Sequence, residues 1–116
     1  MVDDCDPADV FALLDDEYAR SILAATSQRT MTATELSDQC EMSLSTVYRR
    51  TDSLEECGLL EASTEIDPEG NHTTVYSARL QRLTIELEDG TYDVRLAAGS
   101  VTREYADAFT DLWEGL

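Results

Sequence analysis

The hydrophobic period of this sequence changes at Gly58, and that change limits the folds open to the chain. Upstream, apolar residues recur every three or four positions; downstream, they alternate. Helices followed by hairpins, with no strand-helix-strand alternation, predict an α+β architecture. With 116 residues, 42% of them hydrophobic, the chain holds enough apolar side chains for one core.

Asp6-Pro7 opens a short helix, Asp as N-cap and Pro at the first helical position, with Val10, Leu13 and Leu14 as its apolar face. Asp15-Asp16 ends it. A second helix runs from Glu17 to about Thr26 on Tyr18, Ala19, Ile22, Leu23 and Ala25, and Ser27 to Thr32 is expected to be a polar connector. Thr32 or Thr34 caps a third, short helix that ends near Cys40. After Glu41-Met42-Ser43 comes a longer helix, Leu44 to Cys57, capped by Ser43 and closed by Gly58, with Val47, Thr51 and Leu54 facing inward. Two helices joined by a turn of this length, the second offering small polar and Arg residues from its N-terminal half, form the pattern of a helix-turn-helix.

Beyond Gly58, the runs 59–66 and 73–78 flank Asp67-Pro68-Glu69-Gly70-Asn71 as a hairpin. Leu83, Ile85 and Leu87 lead to Asp89-Gly90, and Tyr92, Val94 and Leu96 lead away, a second hairpin with the strongest short turn signal available. Ser100 is expected to cap a final amphipathic helix bearing Val101, Tyr105, Ala108, Phe109, Leu112, Trp113 and Leu116 on one face.

Twenty-five Asp and Glu against eight basic residues give a net charge of −17, and every one of those bases is Arg. A surface so acidic repels itself unless salt screens it, which points to a salt-rich cytoplasm such as that of a halophilic archaeon. The acid is uneven. Residues 1–17 carry seven acids and no base, whereas Met42 to Thr51 contains two adjacent Arg and no acid. An anionic partner would be tolerated there, unless Arg49 and Arg50 pair with Asp52, Glu55 or Glu56. No apolar run approaches the ~20 residues that cross a bilayer, and the start lacks a signal peptide's basic residues, so a cytoplasmic protein is expected. Cys5, Cys40 and Cys57 are odd in number and widely spaced, which argues against a disulfide framework or zinc site. Cys40 and Cys57 fall on inward positions, and Cys5 is expected to be exposed, the one thiol placed for redox chemistry.

Residues 8–80 resemble the winged helix-turn-helix regulators, most closely the ArsR-like group of haloarchaea. The resemblance rests on Asp16 to Leu23, on Thr34-Glu35-Leu36, on Met42 to Arg49, and on Leu54-Glu55-Glu56-Cys57-Gly58-Leu59-Leu60. It implies a DNA-binding transcriptional regulator, usually a homodimer, with the 44–57 helix in the major groove and the 60–78 hairpin as a wing. The sequence departs from that group in its wing tip, Asp67 to Thr73, which has no Arg or Lys, and in having no Cys across 44–50, where metal-sensing members carry a pair. Residues 83–116 lie outside the resemblance.

The expected reading residues are Ser43, Ser45, Thr46, Tyr48, Arg49 and Arg50 on the helix, with Asn71, His72 and Thr73 as donors on the wing. Residues 7–80 then form the reading domain and 81–116 the dimerisation segment, with Val101, Tyr105, Phe109, Leu112, Trp113 and Leu116 as the interface. Neither an enzyme nor a cofactor is expected: the chain has no Lys, no second His, no phosphate-cradling glycine loop and no nucleophile motif. A different class of function remains open at this point, a winged-helix module that holds another protein and never grips DNA.

Overall fold

The computed structural model of the chain describes residues 5–98. Four helices, α1 (Pro7–Asp15), α2 (Glu17–Gln28), α3 (Ala33–Gln39) and α4 (Leu44–Glu56), are followed by β2 (Leu60–Ile66), β3 (His72–Ala78), β4 (Leu80–Glu88) and β5 (Thr91–Ala98). The short strand β1 (Met31–Thr32) stands between α2 and α3. The architecture is α+β, as the change of period at Gly58 requires. The expected terminal helix, with Val101 to Leu116, lies outside the described residues.

Side-chain caps set the helix starts. Asp6 accepts from Asp9 N at 3.0 Å while Asp9 accepts from Asp6 N at 3.1 Å, and Thr32 and Glu35 make the same reciprocal box at α3. Asp16 both ends α1 and caps α2, its Oδ1 accepting from Tyr18 N at 2.8 Å and Ala19 N at 3.3 Å. At the far end of α4, Gly58 adopts φ 73°, a left-handed conformation that a Cβ would penalise, and Leu59 N then reaches back to Leu54 O at 2.9 Å.

The core gathers Val10, Ile22, Leu36, Val47, Leu54 and Leu59, none more than 1% exposed, and Thr51 is buried with them. Two strands replace what the sequence reads as a connector and a later start. Met31 and Thr32 pair with Tyr76 and Val75, so that the first sheet has the order β1-β3-β2 and Met31 is buried. A two-residue strand has no period of its own and exists only because β3 arrives beside it. The second hairpin begins at Leu80 rather than Leu83, with an irregular register at Leu80 and Arg82, and turns at Asp89 and Gly90, both with positive φ as a type I′ turn demands. Val94 of β5 is buried in the main core.

The cysteine expectation is overturned. Cys5 and Cys57 form a disulfide across a separation of 52 residues, and Cys5 is buried rather than exposed. Spacing along the sequence could not reveal the bond, because it depends on α1 lying back across the C-terminal end of α4. Cys40 is the free thiol among the described residues; it is half-buried and packs against the core, and desolvation pushes it above the usual thiol range.

Candidate nucleic-acid interface

In a chain so rich in acid, the start of α4 is chemically distinct. The first turns of α1, α2 and α3 carry Asp9, Glu17 and Glu35, whereas the first turn of α4 carries no acid. Ser43 caps it, its Oγ accepting from Thr46 N at 3.2 Å and donating to Thr46 Oγ1 at 2.9 Å. Ser43 and Ser45 are exposed and Thr46 is half-buried. The partial positive charge of the helix N-terminus therefore meets solvent uncompensated by a carboxylate, an arrangement that favours phosphate.

The two adjacent arginines have separate fates. Arg49 is exposed, and among the described residues its guanidinium is engaged by Thr46 Oγ1 alone, at 3.4 Å. Arg50, expected on the reading face, turns instead to α2. Its Nε lies 2.6 Å from Asp16 Oδ2 and its guanidinium sits 5.8 Å from the centroid of Tyr18. The approach is off the N–H axis, so the contact is ionic rather than a hydrogen bond. None of Asp52, Glu55 or Glu56, the neighbours the sequence offers, is the partner. Position explains the difference: Arg50 lies three residues after Val47 and four before Leu54, on the flank of the buried stripe, and Arg49 does not.

Asp16 thus serves three elements: its backbone N–H donates to Leu13 O at the end of α1, and its carboxylate caps α2 and holds α4. Asp16→Ala is expected to cost about 1–3 kcal/mol in urea unfolding, since it loses a cap of ~0.5–2 kcal/mol and strands a half-buried guanidinium. Asp16→Asn retains the cap acceptor and should lose less. Equal costs for the two variants would show that the ion pair with Arg50 contributes most of the effect.

Tyr48, half-exposed, faces a cleft of about 280 Å³ between α4, the start of α3 and the hairpin β2–β3, lined also by His72, Thr73 and Thr34. Three residues singled out in the sequence, Tyr48, His72 and Thr73, therefore meet at one cleft. Asn71 does not join them. Its side-chain Nδ2 donates to Asp67 Oδ2 at 3.1 Å and its backbone N to Asp67 Oδ1 at 2.8 Å. Asp67 also accepts from Glu69 N at 2.9 Å, and these N–H donors, those of Asn71 foremost, hold its carboxyl below the usual value. The hairpin tip spends its polar groups on its own turn. The C-terminal half of α4 is acidic, and burial together with the neighbouring Asp52 raises the Glu55 carboxyl. The face that can meet an anion is accordingly Ser43 to Arg49 plus the cleft.

Two helices joined by a four-residue break, with the second presenting its acid-free N-terminal half and a β-hairpin at its side, decide the architecture. The fold is a winged helix-turn-helix. The sequence family described as "Helix-turn-helix domain" matches residues 14–62, which take in α2, α3 and α4. NolR from Sinorhizobium fredii has a similar structure, with 21% identity and a TM-score of 0.50 over 61% of this chain and 66% of that one. A possible transcriptional regulator from Methanosarcina mazei Go1 gives 20% identity and a TM-score of 0.43 over 64% of this chain and 56% of that one. The chain thus spans less than two thirds of either protein. No curated protein sequence matches it. Among the described residues, no helix is long and apolar enough to cross a membrane.

Proposed function

We propose that this winged helix-turn-helix protein is a sequence-specific, DNA-binding transcription regulator of the ArsR-like kind, working as a homodimer in a salt-rich cytoplasm. The observation that carries the reading is the acid-free N-terminal half of α4, with Arg49 exposed beside it, in a chain of net charge −17. Residues 7–80 are the reading domain. Arg49 reaches a guanine edge, Ser43, Ser45 and Thr46 meet phosphate at the helix start, and Tyr48, His72 and Thr73 close on the backbone from the cleft. Arg50 contributes through its grip on Asp16, as a positioning residue for α4. Residues 81–116 supply assembly through Val101, Tyr105, Phe109, Leu112, Trp113 and Leu116, so that two α4 helices lie about one duplex turn apart over a pseudo-palindrome.

The test is selection of bound duplexes from a randomised pool in ~2 M KCl, followed by Arg49→Ala on the selected site. A base contact of this kind is worth about 1–3 kcal/mol, so affinity should fall roughly 5- to 150-fold with the fold intact. A second reading, a module that binds another protein, draws on the acidic wing tip with Asp67 and Glu69. Failure of the wild-type chain to enrich any duplex would favour it.

A further inference from the structure

Among the described residues one covalent cross-link joins α4 to the start of α1: Cys57 is the C-cap of α4, and Cys5 stands just before Asp6, the N-cap of α1. Between α1 and α4 lies a cleft of about 370 Å³, lined by Asp9 and Leu13 on one side and by Arg50, Ser53 and Cys57 on the other. Packing does not fill this space. Two ties span it, the disulfide and the ion pair of Asp16 with Arg50. The side chains of that pair are 27% and 25% exposed, so concentrated salt weakens it, whereas salt leaves a covalent bond untouched. Arg49 stands eight residues before Cys57 on the same helix, about 12 Å at helical rise. A helix moves as one body, so a shift at its C-terminal end is carried to Arg49.

We infer that Cys5–Cys57 is a redox switch on DNA reading: the oxidised chain holds α4 in the reading position, and reduction by a dithiol releases the duplex. The inference rests on the DNA-reader proposal above and adds a signal that governs it. Such a reader works inside the cell, where thiol pools keep most cysteines reduced and the disulfides that do form are usually transient, catalytic or redox-sensing. The place of the bond suits the last of these. Cys57 lines the open cleft, which gives a small thiolate its approach. Attack on Cys57 Sγ expels Cys5 as a thiolate and leaves a mixed disulfide; the second thiol of the reductant then attacks that bond, closes a ring and releases Cys57. The protein gains two electrons and two protons as two thiols, and the dithiol leaves as a cyclic disulfide. With the bond cut, α1 is still seated by Val10, 1% exposed, and by Phe11 edge-on to Tyr92. The fold therefore persists while the cleft is free to widen.

Binding of the full chain to its selected duplex in ~2 M KCl, with and without dithiothreitol, reads the outcome. Reduction should weaken binding roughly tenfold, the loss expected when α4 is correctly placed about a tenth of the time, with the far-UV circular dichroism unchanged at room temperature. Oxidised glutathione, itself reduced to two thiols, should restore both the bond and the affinity. Cys5→Ala should bind like the reduced chain whatever the redox state, and Cys40→Ala should respond like wild type. Val94→Ala keeps the bond and loosens the core from the far hairpin, so it should bind like oxidised wild type. Equal affinity of the oxidised and reduced chains would overturn the switch, as would weak binding by Val94→Ala or a far-UV signal lost in step with binding, either of which would make the effect one of general stability. If the oxidised wild type enriches no duplex, the DNA-reader proposal fails first and the switch with it.

Discussion

Cys5→Ala should lower the unfolding free energy by about 4 kcal/mol, the largest single loss expected of any substitution outside the apolar core. A closed loop of this length removes about that much chain entropy from the unfolded state, and native bridges in small domains measure ~2–5 kcal/mol. The bond links residues 52 apart, the start of α1 and the C-cap of α4. For a domain of this size the midpoint should fall on the order of 15–30 °C. Reduction of the wild type should reproduce the shift, and the same reductant should leave Cys5→Ala unmoved. Thiol titration of unfolded wild type should count one free thiol, Cys40, before reduction and three after. Three before reduction, or coincident melting of wild type and variant, would sink the expectation. The consequence reaches the interface, because α1 and α2 hold α4 at two points, through the disulfide at its end and through Asp16 and Arg50 near its middle.

What could be read from the sequence, and what could not, follows one physical division. The four helices, both turns of the hairpins and the inward set Val47, Thr51 and Leu54 are local: a cap, a period or a dipeptide states each within a few residues, and each stands where expected. Features made by distant parts of the chain left no such mark. Met31 and Thr32 become a strand through β3, some forty residues later. Cys5 finds Cys57 only when α1 has folded back. Arg50 finds Asp16, which belongs to another helix, and the sequence offers three nearer carboxylates as decoys. One signal was present and unused: the place of Arg50 between Val47 and Leu54 on the helical wheel already puts it at the edge of the core, where a lone cation needs a partner. Asn71 is a similar case, since Asp67 four residues before it, across a Pro-Glu-Gly turn, is the natural acceptor for its amide.

DNA binding by this protein should be nearly indifferent to salt, in contrast to ordinary readers of duplex DNA. A protein that neutralises about eight phosphates releases counterions with a logarithmic slope near −7, so raising KCl from ~0.5 to ~2 M weakens it by about four decades. Here α4 offers Arg49 but not Arg50, and the wing between Asp67 and Thr73 offers no Arg or Lys. Few counterions leave the duplex when so few cations arrive. Against that small loss stands a gain: twenty-five carboxylates per chain repel the phosphates, and a screening length of about 3 Å near 1 M salt removes most of that repulsion beyond direct contact. The two effects oppose each other, so affinity over this range should change by less than about tenfold or should rise. Titrations at four or five KCl concentrations measure the slope directly. Acid-to-amide changes remote from α4, such as Glu86→Gln with Glu88→Gln, should leave binding unaltered over this range, because a screening length of roughly 4 Å at ~0.5 M already silences charges that far from the duplex. A loss of three decades or more in the wild type would mean that many more cations touch phosphate than Arg49 and the α4 N-terminus provide, and the interface would have to be sought on another face.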